Sequence, residues 1–162
     1  GQTGALIDIA STSNVIYDLG FLNRHGLVFD KRFAQTGGSD TFLSAQIYRA
    51  DGEIRFVREA VVYEHYTVTR TTLPWLLRRH YRCGNNDARC AILLDGRFAY
   101  FRRLPLSTIR FCAKSVKQLL KWPIQRKAYC GIKTLLELAQ LGGHIAAAFG
   151  RKHNEYDHIQ GY

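Results

Sequence analysis

The sequence predicts an α/β protein: part of a mixed sheet with packed helices, followed by two C-terminal amphipathic helices. Two β-rich stretches, near residues 6–17 and 54–63, predict the strands. Apolar residues that recur at helical spacing predict helices near 40–50, 72–86, 101–122 and 127–149. The chain of 162 residues is long enough for one domain with a hydrophobic core.

The first predicted strand begins at Leu6 and ends in the β-favouring run up to Tyr17. A small polar run, residues 10–14, lies within it. The next residues, Asp18 to His25, have the pattern of a short helix, and Gly26 follows at the position where a helix commonly ends.

A pair of glycines, Gly37 and Gly38, precedes the next predicted helix. Glycine permits positive φ and lets a ligand approach the backbone closely. Ser39 or Asp40 would serve as the N-cap of that helix. A carboxylate beside open backbone could act as a general base, whereas the local pattern alone favours an ordinary capped helix after a turn.

The helix predicted from residue 72 carries two arginines, Arg79 and Arg82, one turn apart on one face. Two guanidinium groups at this spacing could bind a diphosphate through paired hydrogen bonds. The alternative is a solvated basic face, which is common on helices.

The net charge of +10 is concentrated in residues 96–136, which hold ten Lys or Arg and no Asp or Glu. Within the predicted helix 101–122, four of these cations form one stripe opposite an apolar face, and Trp122 ends the helix. The four cations are Arg110, Lys114, Lys117 and Lys121. This pattern is typical of a helix that lies on an anionic membrane surface. The alternative buries the apolar face inside the protein.

Four stretches together resemble a known family. They are ASTSNV (10–15), GLVFDKRFAQTGGSDTFL (26–43), DGEIRFVREAVVYEH (51–65) and RTTLPWLLRRHYRCGN (70–85). In order and spacing they resemble the second half of bacterial family 2 glycosyltransferases of the GT-A type, in particular those that build exopolysaccharides. The resemblance covers little more than the first half of the chain, and it implies that the mixed sheet is Rossmann-like.

The resemblance implies roles for particular residues. In this family a Gly-Gly-Glu-Asp stretch opens a helix, and its Asp deprotonates the acceptor hydroxyl. Asp40 falls on that Asp, while Ser39 replaces the Glu. Asn14 falls in a strand that lines the donor and acceptor cleft, where it would contact ligand or be satisfied within the fold.

The same resemblance extends to the donor phosphates and a metal. Arg79 and Arg82 match the core of a family motif, although Cys83 stands where a Trp is usual. His65 falls where a His can ligate the divalent cation, although a lone His is more often a hydrogen-bonded structural residue.

The implied reaction is inverting transfer from a nucleotide-sugar donor to a hydroxyl of a saccharide or lipid-linked acceptor, with Mg²⁺ or Mn²⁺ at the diphosphate. The sequence contains no D-x-D motif and no Gly-rich nucleotide loop. In the family the nucleotide-binding half precedes the matched region, and this chain does not begin with Met. We therefore interpret it as part of a longer enzyme that is missing this half, and we expect it to be inactive alone.

The predicted organisation has three parts. Residues 1–95 form the acceptor-side catalytic part, residues 96–150 a basic amphipathic membrane-associating segment, and residues 151–162 a polar tail. This predicts a cytoplasmic protein, peripheral on the inner face of the cell membrane. An alternative is a basic nucleic-acid-binding module, suggested by the pI of 9.7 but disfavoured by the lack of any known nucleic-acid-binding signature. A third possibility is a non-catalytic interaction fragment.

Overall fold

Helices account for the regular structure of residues 1–125 and 128–153, the part of the chain that the computed structural model describes. In chain order they are α1 (Leu19–Arg24), α2 (Ser39–Arg49), α3 (Leu73–Asp95), α4 (Arg97–Gln125) and α5 (Ala128–Ala148), with short 3-10 turns at Lys31–Phe33 and Val68–Thr71. The chain divides into two compact units, Gly1–His65 and Tyr66–Tyr162. We call these the first and the second unit.

The predicted mixed sheet is absent from the described residues, so the α/β class and its Rossmann-like sheet were wrong. Where the sequence predicts strands, the chain forms one isolated antiparallel bridge between Leu6 and Arg55. Backbone hydrogen bonds of 2.8–2.9 Å flank it and join Gly4 and Ala5 to Phe56 and Ile7 to Ile54. Two paired segments without a third strand make a marginal sheet in water. The β-rich pattern indicates a preference for extended backbone, and it cannot supply the missing partner strand.

The first unit packs α1 and α2 over a small apolar core. Leu22, Leu43 and Ile47 are buried together, because α1 and α2 each turn an apolar face towards the other segments of this unit. The Phe33 ring lies 5.1 Å from that of Phe42, centroid to centroid, and extends this packing. The prediction of a short helix from Asp18 is confirmed, since its Oδ1 accepts a hydrogen bond from the Phe21 amide at 3.0 Å.

The second unit contains the three long helices. The helix predicted over 72–86 is real but continues to Asp95, where Gly96 with φ 86° ends it. The other two agree with the predicted ranges, and α5 continues without a break through Gly142–Gly143. Residues 126–127 and 154–162, which include most of the predicted tail, lie outside the described part.

Glycines bring α3 and α5 unusually close together. A Cβ added at Gly84 would lie 2.0 Å from the backbone oxygen of Gln140, and one added at Gly143 would lie 2.0 Å from the backbone oxygen of Tyr81. Neither position leaves space for a methyl group, so the two backbones are in direct contact there. None of the helices traced through residues 1–125 and 128–153 has the length and apolar content of a membrane span.

Candidate functional site

The glycine pair in the first unit shapes the start of α2. Gly37 and Gly38 have φ values of 73° and 90°, and Gly38 is the N-cap of α2. Only glycine adopts this left-handed conformation without cost, so the sequence requires both residues here. The prediction that Ser39 or Asp40 caps the helix was wrong, because both residues are already helical and no side chain caps α2.

Asp40 consequently stands in the first turn of α2 with its side chain partly exposed. Its Oδ1 accepts a hydrogen bond from the Thr41 amide at 2.8 Å. A carboxylate in the first turn of a helix also lies at the positive end of the helix dipole. Asp40 is therefore an accessible proton acceptor on a rigid element.

Tyr17 lies within electrostatic reach of Asp40 and was not singled out from the sequence. Burial raises the pKa of the Tyr17 phenol, and the negative charge of Asp40 raises it further. The Tyr17 hydroxyl oxygen is buried and has no hydrogen-bond partner among the described residues. Its ring lies edge-on to that of Phe29, with centroids 5.9 Å apart. Its place after a polar run is the only sequence signal that could have indicated it.

Asn14 lies elsewhere in the first unit, on an open cavity of about 650 Å³. The cavity runs between the segments 7–22 and 47–60. Asn14 donates from Nδ2 to the Ala60 backbone oxygen at 2.8 Å, which agrees with the interpretation that its amide is satisfied within the fold. Neither Asp40 nor the glycine turn is among the described residues that line this cavity.

The two predicted phosphate ligands of α3 have different surroundings. Arg79 is exposed, and its guanidinium carbon lies 5.2 Å from the Trp75 ring centroid, a cation–π contact. Arg82 is half-buried within the second unit. Only Arg79 is thus fully open to a ligand from solvent.

The described residues do not fit a site for Mg²⁺ or Mn²⁺. Among them, no three His, Cys, Asp or Glu side chains come together in a way that could hold an ion. His65 is an exposed residue at the end of the first unit. We therefore assign no metal-dependent step to the residues of this chain.

A buried polar cluster in the second unit was not predicted from the sequence. Asp87 of α3 accepts a hydrogen bond from Gln140 Nε2 of α5 at 3.5 Å, and Tyr100 of α4 lies with its hydroxyl 3.1 Å from Nδ1 of His144 in α5. The cluster therefore joins all three long helices. Its signal in the sequence was the polar residues that recur at helical spacing along the otherwise apolar α5.

Burial controls the protonation of this cluster. It raises the pKa of Asp87, against the lowering effects of His144 and Gln140. It lowers the pKa of His144, against the raising effect of Asp87. Burial, with the charge of Asp87, raises the pKa of Tyr100 to about 12. The imidazole is therefore neutral at pH 7, so the Tyr100 hydroxyl can donate to Nδ1.

Of the predicted cation stripe on α4, Lys117 is exposed. The side chains of Arg110, Lys114, Lys121 and Trp122 lie outside the described part, although the α4 backbone passes through all four positions.

Comparison of the chain with protein-family models, curated proteins and solved structures found no match. The resemblance to family 2 glycosyltransferases therefore rests on the four quoted sequence stretches alone.

Proposed function

We propose that this chain supplies the acceptor-side part of an inverting glycosyltransferase in which Asp40 is the general base. The observation that carries the proposal is the left-handed turn at Gly37–Gly38, which leaves a partly exposed carboxylate in the first turn of α2. This is the position at which the motif resemblance implies the catalytic Asp. The proposal concerns the reaction and does not depend on a Rossmann-like sheet.

The reaction exchanges one glycosidic bond and moves one proton. Asp40 takes the proton of an acceptor hydroxyl while the hydroxyl oxygen forms a bond to the anomeric carbon of a nucleotide-sugar. The bond from that carbon to the diphosphate oxygen breaks on the opposite side, and its electron pair leaves with the nucleoside diphosphate. Attack in line with the leaving group inverts the anomeric configuration.

The chain offers further groups for this reaction. The Tyr17 hydroxyl lies within electrostatic reach of Asp40 and lacks a hydrogen-bond partner among the described residues, so we assign it a positioning role beside the carboxylate. We assign Arg79 and Arg82 to the leaving diphosphate, because guanidinium groups bind phosphate oxygens through two parallel hydrogen bonds. The acceptor is a saccharide or a lipid-linked sugar.

The test replaces Asp40 by Asn, which keeps the shape of the side chain and removes the proton acceptor. In the protein that carries these residues, transfer of labelled sugar should fall by about 10²–10⁴-fold with donor affinity retained. Asp51→Asn is the matched control, because Asp51 follows the other end of α2 with φ 57°, a conformation that Asn tolerates.

The two variants have different expected outcomes. Asp51→Asn should turn over as the unmodified protein does, because its carboxylate is exposed and has no part in the proposed chemistry. Equal turnover of Asp40→Asn and Asp51→Asn would mean that Asp40 has no catalytic role and is only part of the first turn of α2. No transfer by the unmodified protein with any nucleotide-sugar would instead favour the non-catalytic interaction fragment.

A further inference from the structure

The α5 helix buries several of its polar residues and exposes several of its large apolar residues, the reverse of an ordinary surface helix. Its polar residues face the interior: Thr134 and Glu137 are buried, and Gln140 and His144 reach the polar cluster. Leu141 is buried, but the large apolar residues Ile132, Leu135, Leu138 and Ile145 are exposed by 38–48%, and Phe149, directly after the helix, by 76%. At about 100° per residue the last four fall on one face of the helix. A surface helix in water normally has the opposite arrangement.

The neighbouring helix α4 also leaves an apolar face uncovered. It packs into the second unit through Tyr100, Leu104 and Phe111. Its remaining described large apolar side chains are 39–77% exposed, and these are Phe98, Phe101, Leu106, Ile109 and Val116. Ile109 and Val116 belong to the apolar face predicted from the sequence, so this chain does not bury that part of the face.

The segment that contains α4 and the start of α5 is strongly basic. α4 and the start of α5 lie in the segment 96–136, which contains ten basic residues and no acidic one. Among the described side chains, Arg97, Arg102 and Lys117 are exposed on α4. We call the exposed apolar residues of α4 and α5, with these three cations, the outer surface of the second unit.

We propose that this outer surface docks on an anionic lipid bilayer, with α4 and α5 lying in the plane of the interface. The apolar side chains would enter the boundary between headgroups and acyl chains, and the Arg and Lys side chains would contact lipid phosphates. The helices would lie on the bilayer without crossing it. This goes beyond the proposed sugar transfer and is independent of it.

Two properties of the outer surface select a bilayer over other partners. Its charge requires an anionic partner, and its uncovered Leu, Ile and Phe side chains require hydrocarbon. A nucleic acid satisfies the first requirement but offers no hydrocarbon to two helix faces. A second copy of this chain satisfies the second requirement but carries the same positive charge, which opposes association. An anionic bilayer satisfies both.

The test uses flotation of the full chain with vesicles of phosphatidylcholine alone or mixed with phosphatidylglycerol. The apolar variant is Leu135→Gln, Leu138→Gln and Ile145→Gln. The cation variant is Arg97→Gln, Arg102→Gln and Lys117→Gln. The control removes the same charge from exposed positions of the first unit, by Arg24→Gln, Lys31→Gln and Arg58→Gln. Far-UV circular dichroism shows whether each variant keeps its helices, which is expected because every substituted side chain is exposed.

The unmodified chain should float with the anionic vesicles and far less with phosphatidylcholine alone. Each cation removed from α4 should weaken partitioning about five-fold at low salt. The apolar variant should lose flotation although its charge is unchanged. The control should float almost as the unmodified chain does, because its three substituted cations are not part of the outer surface.

Three results would overturn the proposal. One is equal flotation of the cation variant and the control, since net charge alone would then explain binding. Another is absence of flotation together with a DNA gel shift that the apolar variant retains, which points to nucleic acid. The third is absence of flotation together with a dimer that the apolar variant dissociates in sedimentation, which makes the outer surface a contact between copies.

Discussion

The cores of the two compact units differ in composition. In the first unit, the core contains large apolar side chains such as Phe33, Phe42 and Leu43, and Leu43 has no exposed surface at all. In the second unit, the interior of the α3–α5 contact consists of glycine, alanine and polar side chains. Asn85, also without exposed surface, donates from Nδ2 to the backbone oxygens of Gly143 at 3.3 Å and Arg151 at 2.9 Å. The second unit buries Tyr100 and Leu141, but it leaves Leu135, Leu138 and Ile145 of α5 exposed.

This difference shows what a helix pattern can and cannot predict. An apolar face usually identifies the core, because burial of apolar area is the main favourable term in folding. When two backbones touch through glycine, however, close van der Waals contact and hydrogen bonds to backbone oxygens hold the helices together, as in membrane proteins. The apolar face is then available for another surface, which is the situation of α5.

The largest effect on stability is expected at the apolar core of the first unit. Leu43→Ala should lower the free energy of unfolding by about 4 kcal/mol, because it removes buried methyl groups and leaves a cavity. Amide hydrogen exchange should show faster exchange in α2, while α3 and α5 keep their protection. The matched control is Leu19→Ala in α1, which is 68% exposed and should change stability by less than about 0.5 kcal/mol. Equal loss of protection in both units would contradict separate cores.

The next largest effect is expected where α3 and α5 touch. Gly143→Ala should destabilise the second unit by about 3 kcal/mol, because its Cβ would lie 2.0 Å from the Tyr81 backbone oxygen and the helices would have to separate. Alanine otherwise stabilises a helix interior relative to glycine by about 0.5–1 kcal/mol. Urea unfolding followed by circular dichroism measures the change.

Gly131 provides the control on the same helix. A Cβ added there meets no atom within 4 Å, so Gly131→Ala should stabilise the protein by the usual preference for alanine. If both variants were stabilising, the close approach of α3 and α5 would not contribute to the fold, and the comparison between the two units would fail.

The helices were predictable from the sequence, whereas the sheet was not. Periodic apolar residues identified α2 through α5, because a helix satisfies its own backbone hydrogen bonds within one segment. The end of α3 was predicted too early, near residue 86, whereas the helix continues to Asp95, directly before Gly96. The strand predictions were wrong for a different reason: a strand depends on a neighbouring strand that its own residues do not specify. Leu6 and Arg55 form one isolated bridge, and no further strand is present among the described residues.

The candidate site was predictable only in its local parts. The glycine pair correctly indicated a left-handed turn before α2, because this conformation is a property of the residues themselves. Tyr17 and the cluster of Asp87 and His144 were missed, because each is brought to its neighbours by tertiary packing between residues far apart in the sequence. No local periodicity encodes such contacts directly.

The smallest effect, and the one that tests the polar interior of the second unit, concerns pH. The folded pKa of Asp87 is raised above 3.8, so between 3.8 and that value the folded state holds a proton that the unfolded state releases. Stability therefore falls as pH rises through this window. The folded pKa of His144 is lowered below 6.5, so as pH falls below 6.5 the unfolded state binds a proton first, and stability falls again.

Asp87→Asn should therefore stabilise the second unit at pH 7 by about 1 kcal/mol, since it removes a buried charge and keeps a partner for Gln140. The gain should shrink as pH falls through the folded pKa of Asp87 and vanish below 3.8, where the Asp87 carboxyl is protonated in both states. Asp95→Asn, at the exposed end of α3, should show no such gain, because Asp95 there pairs with Arg103 at the surface. Urea unfolding at several pH values measures both variants. A constant gain across this range, or a loss at pH 7, would mean that the Asp87 charge stabilises the helix contact instead of opposing it.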